Sequence, residues 1–244
     1  MRCKLCQNER KLVKAHVIPR SFYKPMITGA MPPVMSSTDP NFRRKKLRIG
    51  IYDQAIVCAE CEDRFNPWDN YACKLLLSKA TPRNYLVDER GNQVGFTVAS
   101  YDYDKLKLFF MSLLWRMAAS SQYFFSQAKL GPHEEVLRKM ILNADPGDED
   151  AYSSILCQWD DPLGEHFLLY PHRQRYEDIN YIRCYLNSYV VEIKVDKRAT
   201  SDFNRNFMLK RGESLKAIIR ELKLSHEYAV ARAIAKARMN QITP

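Results

Sequence analysis

An α+β fold in two parts is what the sequence predicts, and three observations predict it. Two Cys-x-x-Cys pairs, Cys3/Cys6 and Cys58/Cys61, bracket the first quarter of the chain and mark a small module. An apolar pattern of helical period follows over residues 103–121, and a series of alternating apolar runs occupies residues 152–195. Helices and then strands in separate blocks belong to α+β architecture rather than to repeating βαβ units. The division falls between residues 1–82, the clasped module, and residues 83–244, a domain of helices and antiparallel sheet.

Each element has its own local reason. Residues 1–15 read as a turn carrying the first cysteine pair, then a short alternating strand from Lys11 that ends at His16, because Val17-Ile18-Pro19 stops further pairing. Residues 25–40 hold Pro25, Pro32, Pro33 and Pro40 and read as a long inserted loop. The run Arg43-Arg44-Lys45-Lys46 leads into a strand over 47–52. A helix is expected from about Val57, and Asn66-Pro67 carries the signature of a new helix start. A hairpin is expected over 85–98 around Arg90-Gly91-Asn92, and a helix from His133 to Ile141. Strands are expected over 152–159, 166–170, 181–186 and 189–195, and one or two basic helices over 213–239.

Composition sets the class. The 244 residues are 46% apolar and include 14 Tyr, 11 Phe and 3 Trp, enough to bury a sizeable core. The formal charge of +10 favours polyanionic partners, nucleic acid first and an anionic membrane surface second; of these the expected partner is DNA, then RNA, and not a membrane. The apolar stretch 106–119 is interrupted by Lys107 and Arg116 and is too short for a bilayer. The opening residues carry no apolar signal run, and the 7 cysteines are odd in number, with Cys58/Cys61 repeating the spacing of Cys3/Cys6. A cytoplasmic protein is therefore expected.

Four thiolates in two Cys-x-x-Cys pairs suit one tetrahedral zinc ion, bound by Cys3, Cys6, Cys58 and Cys61. Such a centre has no open position, so its expected role is structural. Chemistry then needs a second site. His16 is the only histidine in the clasped segment, and Asp53, Glu62 and Asp69 are the carboxylates the clasp draws toward it. A histidine base with a divalent cation held by carboxylates is a design for phosphodiester hydrolysis.

These residues together resemble the HNH endonucleases, the His-Me finger or ββα-metal class, in their zinc-stapled form. The resemblance rests on Cys3-x-x-Cys6, on the strand ending His16-Val17-Ile18-Pro19, and on Asp53 five residues before Cys58-x-x-Cys61-Glu62. It implies His16 as general base, Asp53 at the central asparagine position and Glu62 at the terminal cation-binding position. Mg²⁺ or Mn²⁺ would be held by Asp53, Glu62 and Asp69. Arg43, Arg44, Lys45 and Lys46 are read as a phosphate-contacting arm. Ala15 stands where the family places a metal-binding aspartate, and the His16-to-Asp53 interval is longer than usual. The expected activity is a metal-dependent endonuclease or nickase, in keeping with defence against foreign DNA. The alternatives are a degenerate zinc-containing module that binds nucleic acid, and an adaptor that docks protein partners.

Overall fold

Backbone hydrogen bonds and turns shape the start of the chain before any side chain packs. The computed structural model describes residues 1–27, 31–36 and 44–239. A tight turn follows Cys3, in which the Gln7 N–H donates to the Cys3 carbonyl at 2.9 Å and Gln7 itself sits at φ 62°. Strand β1 (Ala15–His16) pairs antiparallel with β4 (Tyr52–Asp53), and between them β2 (Val34–Met35) pairs with β3 (Lys45–Lys46). A 3-10 turn over Arg20–Met26 buries Phe22 and Tyr23 beneath this ribbon.

Helix α1 (Ala59–Leu77) starts at Cys58 and runs unbroken through Pro67, where the sequence led us to expect two helices. Proline removes one backbone donor and crowds the carbonyl four residues earlier. Here the loss is offset by tertiary packing: Phe65, Trp68, Ala72 and Leu76 are all buried along the face that meets the next long helix.

The hairpin of β5 (Asn84–Val87) and β6 (Gln93–Val98) forms as expected, with Gly91 at φ 82° in its turn. Helix α2 (Tyr103–Ala119) opens on Asp102, whose side chain accepts from the Lys105 N–H. Its pattern reads as amphipathic, yet nearly every residue is buried, Lys107, Ser112 and Arg116 included. Such a helix is an interior one. It packs against α1, against α3 (His133–Leu142) and against the sheet.

The sheet has seven strands in the order β5-β6-β11-β7-β10-β9-β8. Its remaining members are β7 (Ser154–Trp159), β8 (His172–Tyr176), β9 (Ile179–Leu186), β10 (Tyr189–Lys194) and β11 (Leu215–Arg220). Strands β7, β9 and β10 are three strands of the expected meander, and β8, which was not expected, joins them; all four pair antiparallel. Two expectations are corrected. Residues 215–220 are not helical but form the strand that joins hairpin to meander, antiparallel to β6 and parallel to β7. The strand expected over 166–170 is absent, and a 3-10 turn over Pro162–His166 precedes β8 instead. After a single turn, α4 (Asp202–Arg205), and β11, the described chain ends in helix α5 (His226–Met239).

One apolar cluster extends from Cys3 in the N-terminal segment to Ala217 in the sheet, with α2 at its centre. A smaller one, including Cys157, Trp159 and Tyr185, lies on the other sheet face beside Tyr228 and Val230 of α5. There the buried Arg183 donates to Glu192 and, at 2.6 Å, to Glu227 of α5. The architecture is thus mixed α+β with a seven-stranded mixed sheet. Among the described residues no helix is long and apolar enough to cross a membrane.

Candidate functional site

The two cysteine pairs meet. The sulfurs of Cys3, Cys6, Cys58 and Cys61 all lie within 4.8 Å of one another, and those of Cys6 and Cys58 are 4.0 Å apart. A zinc ion bound to four thiolates at about 2.3 Å requires sulfur separations of about 3.8 Å, so the donor set fits one metal ion such as zinc. The backbone holds this geometry independently. The Lys4 N–H donates to the Ile56 carbonyl at 2.8 Å, the Val13 N–H to the Val57 carbonyl at 2.9 Å, and the Cys58 N–H to the Cys3 sulfur at 3.4 Å. Cys58 caps α1 and Cys61 sits in its first turn, which turns both sulfurs back toward the Cys3–Cys6 turn.

His16 ends β1 half-buried, and its Nε2 lies 2.9 Å from the Ile49 carbonyl. A carbonyl oxygen only accepts, so Nε2 carries the proton and Nδ1 is left as the basic nitrogen. Burial pulls the imidazole pKa below its ordinary value, the Ile49 carbonyl opposes this, and the charges of Arg20, Arg116 and Lys14 add to the lowering. The Ile49 carbonyl is itself fixed by Gly50, at φ 84°, where an added Cβ would meet the Tyr23 ring at 2.5 Å.

Glu62, in the first turn of α1, reaches the same place. Its carboxyl lies beside the His16 backbone, while its Oε2 is buried without a hydrogen-bond partner. Burial raises its pKa and the Asp69 charge adds to this, against the pull of Arg116. Unpaired buried carboxylate oxygens are uncommon enough that each calls for an explanation.

Asp53 and Asp69 are engaged elsewhere. Ala15 pairs with Asp53 and His16 with Tyr52, so the Asp53 side chain shares a ribbon face with the fully buried Ala15 and opposes that of His16. Asp53 Oδ1 accepts from the Ala55 N–H at 2.8 Å, and Oδ2 accepts from the Ser120 hydroxyl, the Ser121 N–H and the Ser121 hydroxyl at 2.7–2.9 Å. Burial works to raise its pKa, but these donated bonds outweigh it and hold the carboxyl below its usual value. It locks the end of α2 to the ribbon. Asp69 forms a two-point ion pair with the buried Arg116, at 2.7 and 2.9 Å. Arg116 also donates to the His16 carbonyl at 3.2 Å and lies over the Phe65 ring.

Arg116 is the residue that sequence reasoning missed. Its signal was a lone charge within Leu113-Leu114-Trp115-Arg116-Met117, which reads first as an interruption of an apolar run.

The basic arm lies on the outer side of His16. Lys45 and Lys46 form exposed β3, and Arg44 is exposed beside it; Arg43 lies outside the described residues. Lys14, Lys45, Lys46 and Arg48 line a groove of about 370 Å³ together with Ile49 and Tyr52, and Lys14 sits over the Tyr52 ring. No family model matches this chain, and neither a curated protein nor a solved structure does.

Proposed function

We propose that the N-terminal segment is an HNH-like nuclease centre, stapled by zinc on its four cysteines, that hydrolyses phosphodiester bonds in nucleic acid. The carrying observation is the buried, unpaired Glu62 Oε2 on a carboxylate beside the His16 backbone. An oxygen in that state is suited to a hard divalent cation, Mg²⁺ or Mn²⁺, which would supply charge neutralisation at the leaving oxygen. His16, with Nε2–H directed to Ile49, has Nδ1 free to take a proton from the attacking water. The groove of Lys14, Lys45, Lys46 and Arg48 gives the substrate phosphates a place beside it. In this reading Asp53 and Arg116 are positioning residues, and Asp69 serves Arg116.

A second reading has its own support: a zinc-stapled module that binds nucleic acid without cutting it. Ala15 offers no ligand, and Asp53 and Asp69 already have partners, which leaves Glu62 as the one carboxylate with a free oxygen among those singled out.

Plasmid DNA and a structured RNA, incubated with the protein and added Mg²⁺, Mn²⁺ or EDTA, separate the two. Metal-dependent cleavage that disappears in both His16→Ala and Glu62→Gln, with zinc content unchanged, is the expected result. Cleavage that persists in His16→Ala overturns the assignment of the base. Binding without cleavage by the wild type favours the second reading.

A further inference from the structure

A second groove, of about 940 Å³, adjoins the basic one. It runs between the segment after α2 and α5, and Met35 lines both grooves, so they are neighbours. Its wall differs in kind. Four rings, Tyr123, Phe124, Tyr170 and His172, line it among aliphatic side chains such as Leu168, Leu169, Val230 and Ile234, with Arg173 and His226 also on its lining. Tyr123 is 69% exposed and Tyr170 45% exposed, so part of each ring surface faces the groove's solvent side. Tyr170 is held edge-on to His172, and His172 in turn lies 5.9 Å from the buried Tyr185 ring, so this face is anchored to the sheet. Arg173 is fixed at the Lys129 carbonyl, 3.1 Å away.

Charge separates this track from an ordinary apolar docking site. The chain has 28 Asp and Glu, yet among the described residues none lines either groove. Cations line the first groove and exposed rings the second. Phosphates are held by the former chemistry and unstacked bases by the latter, and neither depends on sequence. A duplex keeps its bases stacked inside and offers such rings nothing, whereas a single strand offers both faces of each base.

From this adjacency and the absence of acids we infer that the ring-bearing groove takes an unpaired strand of nucleic acid that runs on from the phosphates held at Lys14, Lys45, Lys46 and Arg48. The substrate class is then a junction, nucleic acid with a single-stranded segment next to the site of His16. This deepens the nucleic-acid reading above and does not require that the strand be cut.

The test is fluorescence anisotropy of the full chain, zinc-loaded and without added divalent cation, on a blunt duplex and on the same duplex with a single-stranded tail, in DNA and RNA versions. Without the cation no cleavage intervenes, so a failure of the nuclease reading leaves this measurement intact. The tailed substrate is expected to bind at least about 5-fold more tightly than the blunt one, the lower end of what one stacked base contributes. In Tyr170→Ala and Tyr123→Ala that ratio falls toward one, while Tyr170→Phe, which retains the ring, retains the ratio. Zinc content and thermal melting check that each variant is folded. Equal binding of blunt and tailed substrates by the wild type, in DNA and in RNA, overturns the inference, and so does a ratio that survives both alanine variants. The tail, DNA or RNA, that gives the larger ratio names the strand.

Discussion

Arg116 of α2 grips Asp69 of α1 at two points, 2.7 and 2.9 Å, with the guanidinium only 1% exposed. The same side chain donates to the His16 carbonyl, so one buried cation joins helix, helix and strand. Removing the acid strands that cation. Asp69→Ala is expected to cost about 3–5 kcal/mol, the range for breaking one half of a buried pair. Replacing both partners with apolar residues, Asp69→Leu with Arg116→Met, should recover part of it. Urea unfolding of the two single variants and the double one measures the coupling.

A metal ion on the four-cysteine cluster would connect the Cys3–Cys6 turn to the start of α1, so its loss is expected to loosen the segment that carries His16. In isolated zinc fingers binding supplies on the order of 10 kcal/mol of folding energy. The effect here is expected to be smaller, because Phe65 and Trp68 remain packed near Trp115. A chelator should lower the melting temperature reversibly, with recovery on adding zinc. Cys61→Ser should show the lowered value from the outset and not respond to zinc.

Asp53 satisfies four donors from a site 2% exposed. Asp53→Ala leaves the Ser121 amide and neighbouring hydroxyls without an acceptor and is expected to cost about 3 kcal/mol. Asp53→Asn retains one acceptor oxygen and should cost less. Denaturant midpoints order the three proteins, and zinc content is expected to stay the same.

Acid should destabilise the protein in a defined window. Burial works to raise the Asp150 pKa, but hydrogen bonds from Lys194 and from the Thr200 backbone and hydroxyl outweigh it and hold the pKa at about 2 against an ordinary 3.8. A carboxylate depressed by folding contributes stability that is complete above its unfolded value and lost as pH falls through the folded one. The Asp150 share is therefore present above pH 3.8 and disappears between pH 3.8 and about 2. Denaturant titrations across that window should show a steeper loss in the wild type than in Asp150→Asn.

Lys45 and Lys46 stand exposed on a two-residue strand with no buried role. Lys45→Ala with Lys46→Ala should leave the melting temperature within about 1 °C, since surface changes of this kind cost little. The salt dependence of nucleic-acid binding should fall by a slope of about 1.8, near 0.9 for each lost phosphate contact. Anisotropy titrations at several salt concentrations measure the slope.

Local signals carried much of this architecture. The cysteine spacing located the four-cysteine cluster, Gly91 located the β5–β6 turn, and the apolar period from Leu106 to Met117 located α2. Each signal acts within a few residues, which is why it survives in a single sequence. Strand β11 failed this test because its reason for being a strand lies far away. Leu215 and Ala217 pair with Val98 and Phe96 of β6, and Ala217 with Leu156 of β7, while Lys216 and Arg220 imitate the basic face of a helix. The break expected at Pro67 was overruled in the same way, by packing of Phe65, Trp68 and Ala72 against α2.

The candidate site divides along the same line. By itself the sequence pointed to Cys3, Cys6, Cys58 and Cys61 as a set that could hold one metal ion and to His16, Glu62, Asp53 and Asp69 as its neighbours. Only the tertiary structure decided which of those carboxylates has an oxygen to offer. Strand register turned Asp53 away from His16 toward Ser120 and Ser121, and α2 brought Arg116 to claim Asp69. Glu62 retained an oxygen without a hydrogen-bond partner. A carboxylate's availability depends on the donors that surround it, and here those donors are Arg116 of α2 and the two serines just after that helix, far along the chain from the acids they bind.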